Sequence, residues 1–209
     1  MPVDGPQYPV NLVLTGRRCL VVGGGSIAKR KIEGLLACEA LVHVIAPMIS
    51  EAIREHPGLT WEARPYRSTD VEGYRLVITA TDDPAVNAQV FRDADAAGVW
   101  VNSADDPANC SFTLPAIVRQ GPIMVTLATG GHSPALATWL KAHVADQLGP
   151  EYEVAAQLLS AERDAIRSAG GSTEGLDWQS ALDSDMLDLI RTGQISAARE
   201  RLKACLSSS

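Results

Sequence analysis

With 209 residues and 46% apolar content, the chain can bury a sizeable core and has room for one ordinary domain plus a small second one. Its net charge of -7 argues against nucleic acid or an anionic membrane surface as the main partner. No apolar run approaches the ~18 residues of a membrane helix, and the N-terminus has no signal-peptide pattern. We therefore expect a cytoplasmic protein. Its cysteines form no CxxC pair, which predicts free thiols.

Short apolar runs alternate with helix-length segments over the first hundred residues. The runs CLVV (19–22) and LVHVI (41–45) are rich in β-branched residues and flank a segment of helical periodicity, which predicts a βαβ unit with parallel strands. The same pattern predicts further strands at 59–64, 76–80 and 99–101, with helices between the strands. Five such strands indicate a doubly wound α/β domain.

The pattern changes after Asn102. The segments SFTLPAIV and IMVTLA are extended and are separated by RQGP, which predicts an antiparallel hairpin. The chain from Ser133 onward is predicted to be helical, with a Gly/Ser break at 169–173 and two amphipathic stretches after it. We thus predict an α/β protein with a Rossmann-type domain over 1–110, a hairpin-plus-helix region over 111–148 and a helical region over 149–209.

A glycine-rich motif joins the first predicted strand to the first helix. It reads Gly23-x-Gly25-x-x-Ala28, and this context makes a dinucleotide-binding turn a better interpretation than a glycine turn without a ligand. The first glycine permits the tight turn, and the second lets a pyrophosphate approach the backbone. The amides of Ser26 and Ile27 would then face the phosphates at the start of the helix.

One element of the dinucleotide fingerprint is missing. The second strand usually ends in an acidic residue that binds the ribose hydroxyls, but here the sequence reads Ile45-Ala46-Pro47-Met48. No arginine stands there for a 2′-phosphate either, so this pattern leaves NAD and NADP open as alternatives.

The stretch TATDDPAVN after the fourth strand is a second candidate. The carboxyl end of this strand borders the cofactor crevice in such folds, so Thr81 and Asp82 are predicted to line the nicotinamide half. Asp83 precedes Pro84 and is predicted mainly to cap the next helix.

Four motifs occur in one order: VVGGGSIAKRKIEGLL, VITATDDPAVN, VNSADDPANCSFTLPAIV and TLATGGHSPALATWLK. With them, residues 8–150 resemble the precorrin-2 dehydrogenase family, the N-terminal module of siroheme synthase, which in some members is also a sirohydrochlorin ferrochelatase. The resemblance implies NAD-dependent oxidation of the tetrapyrrole precorrin-2 to sirohydrochlorin, with ferrous iron as a further substrate where chelation occurs. It also implies a homodimer in which the region after the Rossmann domain exchanges between subunits.

The family's key acid falls on Asp105 in the turn Asn102-Ser103-Ala104-Asp105. A carboxylate at the mouth of the crevice is a reasonable general base for the proton lost in dehydrogenation. The alternative is that Asp105 and Asp106 only shape a turn before Pro107. The family's cofactor contacts fall on Ser26 and Ile27 and on Pro47 and Met48, and the family generally lacks the ribose-binding acid.

A glycine-rich loop of the family lies near its substrate space. Here that loop gives the predicted substrate-binding residues Thr129, Gly130, Gly131, His132 and Ser133. A helix begins there, and its amides could receive a substrate carboxylate. His132 is a weak candidate ligand for iron, because metal ligands come in clusters, and we predict no metal site of the protein's own.

A nucleotide-sensing Rossmann module without catalysis is the alternative function. TATDDPAVN is similar to the strand-turn-helix segment of such modules, but they usually keep the acid after the second strand and lack the NSADDPANCSF and TGGHSP elements. The sequence leaves open whether the protein chelates metal and whether its product enters a siroheme or a cobalamin branch.

Overall fold

The computed structural model describes residues 6–104 and 106–207. The chain divides into two compact units. The first contains the residues up to Leu114 together with Gly130–His132, and the second contains Pro115–Thr129 and the residues from Ser133 onward. No helix within the described ranges has the length and apolar character needed to span a membrane.

The first unit is built on a five-stranded parallel sheet. Its strands are β1 (Arg18–Val22), β2 (Leu41–Ala46), β3 (Leu59–Ala63), β4 (Leu76–Thr79) and β5 (Trp100–Ser103), in the spatial order β3-β2-β1-β4-β5. Its helices are α1 (Ser26–Leu36), α2 (Glu51–Arg54) and α3 (Pro84–Ala96). The predicted Rossmann-type architecture is therefore confirmed.

The central strands are buried because apolar side chains of the flanking helices pack against both faces of the sheet. On one face Ile32 and Leu35 of α1 join a core that contains Val21. On the other face Val90 and Ala94 of α3 pack in a core with Val77. Helices thus cover both faces, and the strand order reverses between β1 and β4, where such folds bind ligands beyond the carboxyl ends of the strands.

The connection from β3 to β4 differs from the prediction of helices between the strands. It holds only a short 3-10 helix, Ser68–Val71. The Arg64 guanidinium donates hydrogen bonds of 2.7 and 2.8 Å to the Asp70 carboxylate, which also accepts one from the Arg67 amide at 2.7 Å. These hydrogen bonds hold the segment between β3 and β4 in place, and no longer helix is needed there.

The second unit begins with an antiparallel hairpin of β6 (Ala116–Gln120) and β7 (Ile123–Leu127). Helices follow at α4 (Pro134–Gln147), α5 (Glu151–Ser168), α6 (Trp178–Asp183), α7 (Met186–Arg191) and α8 (Ile195–Ser207). The predicted hairpin and helical region are confirmed, but three helices rather than two stretches follow the Gly/Ser break. They pack with α5 around buried Met186 and Leu202.

The first hairpin strand is also shorter than predicted. It begins at Ala116, whereas the sequence indicated extended structure from Ser111. Ser111 lies instead beside β5, where its amide donates to the Val101 carbonyl at 2.8 Å.

Candidate functional site

The glycine turn lies at the carboxyl end of β1 and packs tightly against the loop after β4. Gly23 has a φ of +134°, and a Cβ atom added there would lie 2.3 Å from the Ala80 carbonyl oxygen. The Ala80 amide donates to the Val22 carbonyl at 2.8 Å, which keeps the two loops together. Only glycine fits this position without displacing the backbone.

The next two glycines have opposite surroundings. A Cβ at Gly24 would lie 2.0 Å from the Met48 carbonyl oxygen, so the loop after β2 closes on this position. The Ser50 amide donates to the Gly24 carbonyl at 3.0 Å and holds that contact. A Cβ at Gly25 would meet nothing within 4 Å. The turn is thus packed on its protein side and open at Gly25.

Helix α1 starts at this open position without a capping side chain. Gly25 is the N-cap residue, and the Lys29 amide donates to its carbonyl at 3.0 Å. The amides of Ser26 and Ile27 belong to the first turn of α1, where N–H groups have no partner within a helix and the helix dipole favours an anion. An open glycine beside these amides fits the pyrophosphate of a dinucleotide.

The end of β2 borders the same turn. The strand ends at Ala46, and Pro47 and Met48 follow, both exposed, with 85% of Met48 accessible. No acidic side chain occurs at this strand end, as the sequence indicated. Met48 presents an apolar surface next to the glycine turn, where a planar ring can pack.

The loop after β4 is organised by a buried amide side chain. Asn87 Oδ1 accepts hydrogen bonds from the hydroxyl of Thr79 and from the hydroxyl of Thr81 at 2.8 Å. Asn87 Nδ2 donates to the Thr81 carbonyl at 3.0 Å. The sequence motif contained Asn87, but no role was predicted for it because these contacts join a helix to a strand end and a loop. Asn87 fixes the shape of this loop.

The aspartates of that loop have different surroundings. The Asp83 carboxylate accepts hydrogen bonds from the amides of Ala85 at 2.9 Å and Val86 at 3.4 Å, which confirms the predicted cap. Asp82 is exposed beside it. Thr81 shares its hydroxyl between Asn87 and the Asp83 backbone, so a ligand there would meet a loop that is already ordered.

The predicted catalytic residue Asp105 lies outside the described residues. Its neighbours in sequence are described: the Ala104 amide donates to the Thr79 carbonyl at 2.8 Å, and the Asp106 amide donates to the Ser103 carbonyl at 3.4 Å. Ser103 Oγ is the one buried side-chain polar atom without a hydrogen-bond partner among residues 6–104 and 106–207. The end of β5 thus places the Ser103 hydroxyl and the Ala104 amide beside the end of β4.

The predicted substrate loop spans the division between the two units. The Ser133 amide donates to Thr129 Oγ1 at 3.2 Å, and Ser133 Oγ caps α4 by accepting from the Leu136 amide at 3.1 Å. Gly130 and Gly131 have φ values of +58° and +79°. His132 is exposed. The loop is thus a compact turn that begins α4.

The structure brings three of the predicted cofactor segments together. The turn with Gly23, Gly25, Ser26 and Ile27, the segment Pro47–Met48 and the loop with Thr81 and Asp82 lie at the carboxyl edge of one sheet, and the contacts of Gly23 and Gly24 join them.

Within the described part of the chain, no group of three or more His, Cys, Asp or Glu side chains is arranged to hold a metal ion. The four cysteines are free thiols, as predicted.

A dinucleotide-binding fold with an open glycine turn defines a class of nicotinamide-binding proteins. A family described as "Putative NAD(P)-binding" matches residues 10–116, just over half of the chain, and the chain belongs to this family. The matched residues contain the whole parallel sheet.

Two siroheme synthases are similar to almost the whole chain. The siroheme synthase of Nitrosococcus oceani is 37% identical over 206 residues, and that of Nitrosomonas europaea is 35% identical over 207 residues. Each match covers 96% of this chain and 44% of the relative, so the chain spans less than half the length of these proteins. The resemblance predicted from four motifs is confirmed.

A solved structure of "SirC, precorrin-2 dehydrogenase" has the same fold. It is 28% identical, with a TM-score of 0.69, and the match covers 95% of this chain and 98% of that chain. The similarity therefore includes both units.

Proposed function

We propose that this chain is a dehydrogenase that oxidises precorrin-2 to sirohydrochlorin with NAD as hydride acceptor. The observation that carries the proposal is the glycine turn, which is closed on the protein side at Gly23 and Gly24 and open at Gly25 beside the first amides of α1. The similarity to SirC and to siroheme synthases supports the choice of tetrapyrrole.

The proposed chemistry divides between two parts of the sheet edge. Dehydrogenation removes a hydride and a proton from the substrate, and NAD supplies the acceptor for the hydride when it is bound. The amides of Ser26 and Ile27 would hold the pyrophosphate, and Met48 would offer an apolar surface to the adenosine half. Thr81 and Asp82 would border the nicotinamide half. The proton leaves to the Asp105 carboxylate, the proposed general base.

An anaerobic assay tests this proposal. Wild-type protein with precorrin-2 should produce sirohydrochlorin with NAD. The β2 end carries neither the acid typical of NAD sites nor a cation for a 2′-phosphate, so a parallel assay with NADP compares the two nucleotides. Asp105→Ala should lower kcat by at least about 100-fold, within the range of general-base effects. Wild-type protein that binds both molecules without oxidising precorrin-2 would contradict the proposal and favour a nucleotide-sensing role.

We further propose that the active form is a homodimer built through the hairpin and α4. Helix α4 has no buried residue, although it carries Leu136 and Trp139, which are 48% and 60% exposed. Leu136 and Trp139 are three residues apart and therefore neighbours on the helix surface, which makes this face a candidate for a protein contact. The occupant proposed is a second copy of this chain, as the family resemblance implies.

Insertion of ferrous iron into sirohydrochlorin stays a separate proposal. Iron would be a substrate here, and Asp105 would assist in removing the pyrrole protons. The test is to add ferrous iron after the dehydrogenation is complete and to follow siroheme formation. Equal rates for wild type and Asp105→Ala would exclude this role of Asp105, and no acceleration over a protein-free control would exclude chelation.

A further inference from the structure

A cysteine thiol closes the loop that follows β5. Cys110 Sγ accepts from the Ser103 amide at 3.2 Å and lies 3.4 Å from the Ser103 carbonyl and 3.3 Å from the Asp106 carbonyl, either of which can accept its proton. Asn102 Nδ2 donates to the same sulfur at 3.5 Å. This one side chain thus contacts the first residue of the segment, Ser103, and its middle, Asp106.

Residues after Cys110 fasten the base of this loop to the strand. Asn102 and Cys110 form an isolated antiparallel bridge. Ser111 Oγ accepts from the Val101 amide at 2.8 Å, and Asn102 Nδ2 donates to the Phe112 carbonyl at 2.9 Å. The loop therefore has a fixed base, and Cys110 is the side chain that ties its interior to that base.

The surroundings of the sulfur keep it a neutral thiol. Burial raises the pKa of Cys110 above its ordinary value, and the Asp106 carboxylate raises it further. The Ser103 amide and the Lys31 ammonium oppose this rise without reversing it. A neutral thiol can donate and accept at once, which a thiolate cannot do.

We propose that Cys110 is a positioning residue for the dehydrogenation: it fixes the described residues on either side of Asp105 in the sequence, Ser103 and Asp106. The inference rests on the proposed function. Both sequence neighbours of Asp105 donate hydrogen bonds through their amides, Ala104 to the Thr79 carbonyl and Asp106 to the Ser103 carbonyl. The Cys110 thiol contacts both Ser103 and Asp106 and so links these two residues. Cys110 acts through this loop and takes no part in the chemistry.

Sulfur suits this position because of its reach. Hydrogen bonds made by a hydroxyl oxygen are typically about 2.5–3.2 Å long, whereas the contacts of Cys110 are 3.2–3.5 Å long. A serine at this position would form some of these contacts, and an alanine would form none. The series Cys, Ser and Ala should therefore order the loop to a decreasing degree.

The test compares Cys110→Ala and Cys110→Ser with wild type and with Cys38→Ala. Cys38 is also a partly buried free thiol, but it packs against apolar residues of the sheet core. In single-turnover assays with precorrin-2 and NAD, Cys110→Ala should lower the rate at least about tenfold, since small misplacements of a catalytic group are costly. The rate of Cys110→Ser should fall between those of wild type and Cys110→Ala, and the rate of Cys38→Ala should match wild type. The affinity of each variant for NAD should stay within about twofold of wild type.

A double variant separates positioning from a general structural effect. In an Asp105→Ala background, Cys110→Ala should cause no further loss of rate, because the residue it positions is already gone. A full tenfold loss in that background, or a Cys110→Ala enzyme as fast as Cys38→Ala, would overturn the inference. If Cys110→Ala does not fold, Cys110→Ser provides the same comparison.

Amide hydrogen exchange gives a readout that does not depend on the activity. The Ala104 and Asp106 amides should exchange faster in Cys110→Ala than in Cys38→Ala, and unchanged exchange would overturn the inference. A wild-type protein that does not oxidise precorrin-2 would refute the proposed function alone, since the exchange measurement still decides whether Cys110 orders the loop.

Discussion

Strand β4 of the first unit and helix α4 of the second bury their apolar residues to opposite extents. All four residues of β4 are buried, whereas none of the fourteen residues of α4 is, although Leu136 and Trp139 lie among them. The parallel sheet completes its core within the chain, because helices cover both of its faces. The apolar side chains of α4 stay exposed instead. This is what we expect of a helix that packs against another chain.

The largest loss of stability should come from disrupting the packing of the glycine turn in the first unit. Gly24→Ala would place a Cβ 2.0 Å from the Met48 carbonyl oxygen, a backbone atom that cannot move cheaply. We expect a loss of about 3 kcal/mol or more of unfolding free energy, measured by urea denaturation.

Gly25→Ala is the matched control for this change, because its Cβ would enter open space. It should lose at most about 1 kcal/mol of unfolding free energy, because alanine is a poorer N-cap than glycine. It should bind NAD about tenfold more weakly, since the methyl group occupies the space proposed for the pyrophosphate. Equal stability of the two variants would mean that the turn is less tightly packed than described.

The second prediction concerns the uncovered surface of the second unit. Trp139→Glu should weaken self-association by about 2 kcal/mol or more, because a buried tryptophan at an interface is replaced by a charge. Sedimentation at several concentrations measures this change.

Leu41→Glu serves as its control, since Leu41 is 57% exposed at the start of β2 in the sheet unit. That variant should dimerise like wild type. A wild-type chain that stays monomeric at all concentrations would remove the proposed role of α4.

A smaller effect should follow from removing the cap of α3. Asp83→Ala deletes the carboxylate that accepts hydrogen bonds from the amides of Ala85 and Val86. The expected cost is about 1 kcal/mol of unfolding free energy. Asp82→Ala, a change at the exposed neighbour, should cost less than about 0.5 kcal/mol. The reverse order would mean that the two aspartates exchange roles.

The smallest effect concerns the outer part of the sheet. Burial lowers the pKa of His43, and the nearby Glu62 opposes this shift. Because the unfolded chain then binds a proton that the folded chain does not, His43 should reduce stability as the pH falls below about 6.5. His43→Gln should lose less stability than wild type between pH 7.5 and pH 5.5. Parallel pH profiles in urea denaturation would contradict this.

Local chemistry could be predicted from the sequence. Gly23 and Gly25 were identified because strand, turn and helix follow each other directly, and Asp83 was identified as a cap because Pro84 marks the first turn of α3. The position of Gly25 is open, and phosphate binding there stays a prediction. The alternation of short apolar runs with helix-length segments also predicted the five strands.

Contacts between distant segments could not be predicted in this way. Asn87 joins α3 to the last residue of β4 and to the loop after it, and Cys110 ties together a loop whose ends meet only in the fold. The 3-10 connection before β4 depends on the pair Arg64 and Asp70. None of these pairings leaves a periodic signal, so only the fold makes them visible.

A single-turnover experiment tests the central proposal most directly. Protein in excess over precorrin-2, with NAD and without oxygen, should form NADH and sirohydrochlorin in a one-to-one ratio and at the same rate, and Asp105→Ala should slow both equally. An unchanged tetrapyrrole spectrum under conditions in which the protein binds NAD and precorrin-2 would contradict the account.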